Sequence, residues 1–101
     1  MMESAMRVTV SMPGRITIDK ADQIRRRLAS ALRTHPALVA VDLSDVPYMD
    51  KSGIATLLEA MQTARQQGTR LVLSGIQQQP RYLLKVTDLD HVFEIDEGSN
   101  T

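Results

Sequence analysis

Asp50 and Ser52 are the residues best placed for chemistry, in a short polar stretch that links an apolar segment to a helix-forming one. Ser52 is followed by Gly53 and then by apolar residues at helical spacing, so its hydroxyl is expected at the N-terminus of a helix. The free N–H groups and the dipole of a helix end stabilise a phosphate on such a hydroxyl, yet a serine there is also a common N-cap. Asp50 is either a cap in the same loop or a contact for a kinase or its metal ion. Residue spacing does not decide whether Ser52 is a phosphate site or an N-cap, nor whether Asp50 is a cap or a kinase contact.

The remaining polar residues do not form a recognisable catalytic or metal site. The sequence has 0 Cys and 2 His, and it contains no glycine-rich nucleotide-binding motif. His35, beside Pro36, is expected to cap a helix C-terminus or to face solvent. His91 follows two aspartates in a loop, either as a solvated residue or as a pH-sensitive contact. These observations predict a protein that is not an enzyme and that needs no metal or other cofactor.

Charge and hydropathy patterns disfavour nucleic acids and membranes as direct partners. The chain of 101 residues carries 12 basic and 12 acidic residues, which disfavours direct nucleic-acid binding. The run Arg25–Arg27 fans around a helix beside Asp22, so a solvated helix face is expected rather than an anion site. No apolar run reaches the roughly 18 residues of a membrane span, and Met1–Arg7 lacks the apolar core of an export signal. Together with the lack of Cys, this predicts a cytoplasmic protein without direct membrane insertion.

Hydrophobic periodicity predicts the elements that position these residues. Alternating apolar residues predict a strand from Arg7 to Met12, after which Ile16 and Ile18 are expected on one face of a bulged continuation or a short hairpin. Asp19 is the expected N-cap of the first helix. The further predicted strands are Ala37–Leu43, which is expected to be covered on both faces, Thr69–Ser74 and Val92–Ile95. The predicted helices are Lys20–Arg33, Gly53–Gln67 and Gln79–Val86.

Strands that alternate with helices of this length indicate an α/β fold. The sheet is expected to be mixed but mostly parallel, with four or five strands and with the helices packed mainly on one face. A single domain over residues 7–96 is predicted, between a flexible N-terminus at residues 1–6 and a polar tail at residues 97–101. The predicted core side chains are Ile24, Leu28, Val39, Val41, Leu43, Ile54, Leu57, Leu58, Met61, Leu71 and Leu73.

Several motifs of the chain resemble one known family, the STAS domain of bacterial anti-sigma factor antagonists. The similarity extends from Arg7 to Ile95, and it is strongest around the segment that contains Ser52. The motifs that carry it are Val41–Ser44, Met49–Ile54 and Gly68–Gly75, with weaker matches at Gly14–Thr17 and Thr87–Phe93.

The resemblance implies a regulatory function through protein–protein contacts. In the family, the Ser directly before Gly is phosphorylated by a partner that is both anti-sigma factor and kinase, which makes Ser52 the implied phospho-acceptor. The unphosphorylated form binds that partner and frees a sigma factor, phosphorylation releases the partner, and a phosphatase resets the protein. The implied partner-binding residues are Met49, Asp50, Lys51, Ser52, Gly53 and Ile54.

Departures from the family pattern favour a second hypothesis. Lys51 replaces the small hydroxyl residue that usually precedes the acceptor, which partly neutralises a phosphate or indicates a different partner. Only seven residues precede Val8, so the first strand of many members is short or missing, and the chain ends soon after Ile95, where many members continue into another helix. The short ends are similar to STAS subunits of ABC-type lipid transporters at the inner membrane, which dock on the permease or the ATPase and need no phosphorylation.

Overall fold

Strands and helices alternate along the chain, as the sequence predicts. The computed structural model describes residues 6–97, so the expectations for residues 1–5 and 98–101 lie outside it. The elements are β1 (Arg7–Ser11), α1 (Ala21–Leu32), β2 (Leu38–Asp42), α2 (Lys51–Gln66), β3 (Arg70–Ser74), α3 (Gln78–Val86) and β4 (Glu94–Asp96), with a 3-10 turn at Ile18–Lys20 before α1.

The strands lie side by side in chain order, β1-β2-β3-β4, and each one pairs in parallel with the next. Every crossover therefore moves in the same direction across the sheet. Because such crossovers are right-handed, all the connecting helices fall on one face. This confirms the predicted α/β fold, with 4 strands, all parallel, within residues 6–97.

The hydrophobic core lies between the sheet and the helices. Val39 and Val41 on β2 are fully buried, whereas Leu38 and Ala40, which point to the opposite face, are only half-buried. The prediction that this strand is covered on both faces is therefore wrong, because no helix of residues 6–97 packs on its second face. The predicted core residues are all buried except Leu58, which is partly buried at the margin of the core.

The first helix begins differently from the prediction. The carboxylate of Asp19 accepts a hydrogen bond from the Thr17 hydroxyl, and the N-cap position is taken by Lys20 without a side-chain cap. The predicted Asp19 cap is therefore wrong. The predicted burial of Ile24 and Leu28 is confirmed.

Arg25 and Arg26 form ion pairs on the solvated side of α1. Arg25 Nη1 lies 2.7 Å from Asp22 Oδ1, and Arg25 Nε lies 3.0 Å from Glu59 Oε1 on α2. Arg26 Nη2 lies 3.5 Å from Asp22 Oδ2. The side chains of all these residues are largely exposed, which agrees with the predicted solvated helix face.

The third helix buries only part of its apolar side. Leu84 is fully buried, but Tyr82 and Val86 are 64% and 56% exposed. The two exposed residues are four positions apart, so they lie on the same outer face of α3.

Candidate functional site

The loop between β2 and α2 is fixed from below by buried apolar side chains. Val46 and Met49 are both 0% exposed, and the Val46 amide donates to the Leu43 carbonyl at 2.9 Å. Because these two side chains are buried, the polar residues of the loop are held at the surface.

Gln79, in the first turn of α3, holds the same loop from the side. Its side-chain oxygen accepts from the Met49 amide at 2.9 Å, and its side-chain nitrogen donates to the Met49 carbonyl at 3.1 Å. The side chain thus satisfies both backbone groups of one loop residue, as a neighbouring strand would. No local sequence pattern marks Gln79, because its partner lies 30 positions away.

A second segment, residues 14–18, lies against the loop. The Ile16 amide donates to the Tyr48 carbonyl at 3.0 Å, and the Asp50 amide donates to the Ile16 carbonyl at 3.0 Å. These bonds form an isolated parallel bridge between Ile16 and Met49. The segment is therefore neither a bulged continuation of β1 nor a hairpin.

Ile16 and Ile18 do not share a face, contrary to the prediction. Ile16 is 0% exposed, whereas Ile18 is 72% exposed. The cause is the 3-10 turn that starts at Ile18, since it ends the two-residue alternation of extended chain.

The Asp50 carboxylate connects the two segments. Its Oδ1 accepts from the amides of Ser52 at 2.9 Å and Gly53 at 3.3 Å. Its Oδ2 accepts from the Ile18 amide at 3.2 Å. Asp50 is therefore the N-cap of α2, and the helix begins at Lys51, two residues before the predicted start.

Ser52 occupies the first turn of α2 and is partly exposed. Its amide donates to Asp50, and its carbonyl accepts from the Thr56 hydroxyl at 2.9 Å. Both hydrogen bonds use backbone atoms, so neither engages the side-chain hydroxyl. The interpretation of Ser52 as the N-cap is wrong, because Asp50 fills that role.

Gly53 allows α2 to approach the residues beneath it. A Cβ atom at this position would lie 2.9 Å from Ile16 Cγ2 and 2.9 Å from Met49 Cγ, closer than carbon atoms pack. Met49, Gly53 and Ile54 are buried, so these three predicted partner-binding residues support the surface from below. Lys51 is exposed and Asp50 and Ser52 are partly exposed, so these three reach solvent.

A family model described as the STAS domain matches residues 2–101 of this chain. The chain belongs to the STAS domain family. A curated relative, the anti-sigma-B factor antagonist of Listeria monocytogenes, is 26% identical over 88 residues, which cover 87% of this chain and 77% of the relative.

The fold of this STAS domain also resembles solved structures at low sequence identity. The anti-sigma factor antagonist SpoIIAA in its unphosphorylated form has a TM-score of 0.75 and 17% identity, over 96% of this chain and 85% of that one. A sulfate transporter family protein from Wolinella succinogenes has a TM-score of 0.77 and 18% identity, over 88% of this chain and 75% of that one. At these identities, the likeness establishes the fold alone.

The Val41–Ser44 and Gly68–Gly75 motifs of the STAS domain meet at the carboxyl ends of β2 and β3. Asp42 Oδ1 accepts from the Ser44 amide at 2.9 Å, and Gln77 Nε2 donates to the Ser44 carbonyl at 2.7 Å. Gly75 has a φ of 64°, and a Cβ atom there would lie 2.9 Å from Ser44 Cβ. The glycine thus combines a left-handed turn with close contact between the two loops.

The Asp42 side chain is expected to make stability depend on pH in the acid range. The hydrogen bond from the Ser44 backbone lowers the pKa of the Asp42 carboxyl below its ordinary value of 3.8. The contribution of the Asp42 carboxylate to stability is therefore fully present above the pKa that this group has in the unfolded chain. It is lost as the pH falls through the lower pKa of the folded chain. The difference in urea midpoint between wild type and Asp42→Asn should shrink as the pH falls from 5 to below 3.8.

Asp45→Asn, which changes an exposed carboxylate of the same loop, is the control for a general loss of charge. A difference in urea midpoint between wild type and Asp42→Asn that stays constant over this pH range would contradict the role given to the Ser44 hydrogen bond.

The two histidines lie away from Ser52 in sequence and in exposed turns. His35 is exposed and has a φ of 51°. His91 Nδ1 lies 3.5 Å from Asp90 Oδ1 and 3.8 Å from Asp88 Oδ1, with all three side chains largely exposed. This is the solvated turn that the sequence predicts as one of two alternatives.

No helix within residues 6–97 is long and apolar enough to cross a membrane.

Proposed function

We propose that this STAS domain is a cytoplasmic anti-sigma factor antagonist that is regulated at Ser52. Its unphosphorylated form binds an anti-sigma factor that is also a serine kinase, and phosphorylation of Ser52 releases that partner. One observation carries the proposal: Ser52 is partly exposed in the first turn of α2 while Asp50, and not Ser52, caps the helix. The hydroxyl is therefore available for modification without loss of the cap.

The electrostatic surroundings of Ser52 support a charge-operated change in affinity. A phosphate adds about −1.5 to −2 charges, next to the carboxylate of Asp50, whose Oδ1 lies 2.9 Å from the Ser52 amide. The helix N-terminus and the exposed Lys51 offset part of that charge. The phosphorylated surface remains strongly hydrated, so a partner that must displace this water binds it less tightly.

The class of partner is taken from the relatives. Two curated relatives, from Listeria monocytogenes and Listeria innocua, are anti-sigma-B factor antagonists, each 26% identical to this chain. Their names support an anti-sigma factor as partner. The contact surface consists of the exposed part of the predicted set, Asp50, Lys51 and Ser52, held in place by Met49, Gly53 and Ile54.

Phosphorylation by the anti-sigma kinases of the same organism tests the proposal. Incubation with the cognate kinase and ATP should add a single phosphate to the intact chain, and peptide mass spectrometry should locate it at Ser52. Ser44→Ala, which removes an exposed hydroxyl from the same β2–α2 loop, should be phosphorylated like wild type. Ser52→Ala should gain no phosphate.

A chain that no such kinase modifies, or that is modified elsewhere, would contradict the proposal. The accessory subunit of an ABC-type lipid transporter would then be the better hypothesis, because it requires no kinase.

A further inference from the structure

Ile18 is the most exposed large apolar side chain within residues 6–97. It is 72% exposed, compared with 64% for Tyr82, 56% for Val86 and 49% for Met6. A single exposed apolar residue is common on protein surfaces and by itself indicates nothing. The position of Ile18 in relation to Ser52 distinguishes it from the others.

Ile18 and Ser52 are joined through one carboxyl group. The Ile18 amide donates to Asp50 Oδ2 at 3.2 Å, and the Ser52 amide donates to Asp50 Oδ1 at 2.9 Å. The Ile16–Met49 bridge holds the preceding residues on the same loop. The backbone of Ile18 is therefore held close to that of Ser52, although the two residues are distant in sequence.

Holding the backbone of an exposed apolar residue in place has no evident benefit to the fold, because Ile18 contributes nothing to the buried core. A contact residue benefits from it, since a pre-positioned backbone loses little conformational freedom when a partner binds. Exposed charged residues flank both positions in the sequence, since Asp19 follows Ile18 and Lys51 precedes Ser52. Interfaces usually combine an apolar centre with a polar rim.

We propose that Ile18 is the apolar anchor of the surface that contains Ser52, and that Asp50 is the positioning residue that holds it there. The occupant is the anti-sigma factor, which presents an apolar recess for Ile18 beside the site that receives the Ser52 hydroxyl. This inference rests on the proposed function and adds the residue that supplies most of the apolar contact. It also gives Asp50 a second role besides capping α2.

Affinity measurements with the purified anti-sigma factor test the anchor. Ile18→Ser should weaken binding of the unphosphorylated chain at least tenfold, because truncation of a central apolar contact has effects of this size. Val86→Ser is the matched control, since it removes another exposed β-branched side chain, at the end of α3, and its affinity should stay within about twofold of wild type. Equal affinities for Ile18→Ser and Val86→Ser would overturn the inference.

A double-mutant cycle tests the positioning role of Asp50. Asn is about as favourable as Asp at an N-cap, but it offers only one acceptor oxygen, so Asp50→Asn keeps the cap and loses the bond to Ile18. Binding should weaken in Asp50→Asn, and the double variant with Ile18→Ser should bind no worse than Ile18→Ser alone. Additive losses would show that Asp50 acts independently of Ile18.

Amide hydrogen exchange in the full chain gives a readout that needs no partner. In Asp50→Asn, the Ile18 amide should exchange faster, while amides in the middle of α2, such as that of Leu57, keep their protection. Asp45→Asn should leave both unchanged. Unchanged exchange of the Ile18 amide in Asp50→Asn would contradict the positioning role.

These outcomes separate the inference from the proposed function. If wild type binds the anti-sigma factor but Ile18→Ser binds equally well, the anchor is wrong and the function stands. If wild type does not bind any anti-sigma factor of its organism, the proposed function fails and the anchor fails with it.

Discussion

Ser52→Asp is expected to weaken binding to the anti-sigma factor at least tenfold, which corresponds to about 1.4 kcal/mol. The substitution places a negative charge on a surface that must lose water in the complex, beside the carboxylate of Asp50, which accepts from the Ser52 amide. One carboxylate imitates a phosphate dianion only in part, so tenfold is the lower bound. Isothermal titration calorimetry with the two purified proteins measures the effect.

Ser52→Ala is the matched variant for this prediction. It removes the hydroxyl but adds no charge, and the cap is preserved because Asp50 accepts from the backbone amide. The affinity should therefore stay within about threefold of wild type. In cells this variant should act as a permanently active antagonist. Equal affinities for Ser52→Ala and Ser52→Asp would contradict a charge-operated change at this position.

Leu57→Ala is expected to lower the free energy of unfolding by roughly 2–5 kcal/mol. Leu57 is 0% exposed and belongs to the single core cluster beneath α2. Removal of its side chain leaves a cavity in the core that joins α2 to the sheet. The loss is a large share of the ~5–15 kcal/mol that a domain of this kind has, so the urea midpoint should fall sharply.

Leu58→Ala provides the control within the same turn of α2. Leu58 is only partly buried against the core, so the same substitution should cost clearly less than at Leu57. A larger loss for Leu58→Ala than for Leu57→Ala, measured by urea unfolding under identical conditions, would mean that the inward face of α2 is misassigned.

Local patterns were sufficient to predict the elements of the fold. The alternation in β1 and the helical spacing of Ile54, Leu57 and Met61 report directly which side of each element is buried. Strands that alternate with helices indicate parallel pairing, and right-handed crossovers that all move in one direction across the sheet place the helices on one face. The observed start of α2 lies two residues before the predicted start, and a difference of this size is common at helix ends.

The details of the site depend on contacts between distant residues, which local patterns do not report. The sequence offered a cap as one of two roles for Asp50, but it did not predict the bond from Ile18 to Asp50, because that bond joins residues 32 positions apart. The exposure of Ile18 was not predicted either, because the 3-10 turn that begins at Ile18 ends the two-residue alternation of extended chain. The motif around Ser52 was nevertheless recognisable, because its residues are contiguous.

The affinity of the anti-sigma factor for the unmodified chain and for the chain phosphorylated at Ser52 tests the central claim most directly. Both forms are measured in the same titration, with the modified chain verified by mass spectrometry to carry one phosphate. We expect the unmodified chain to bind and the phosphorylated chain to bind at least tenfold more weakly. Equal affinities of the two forms would contradict regulation at Ser52.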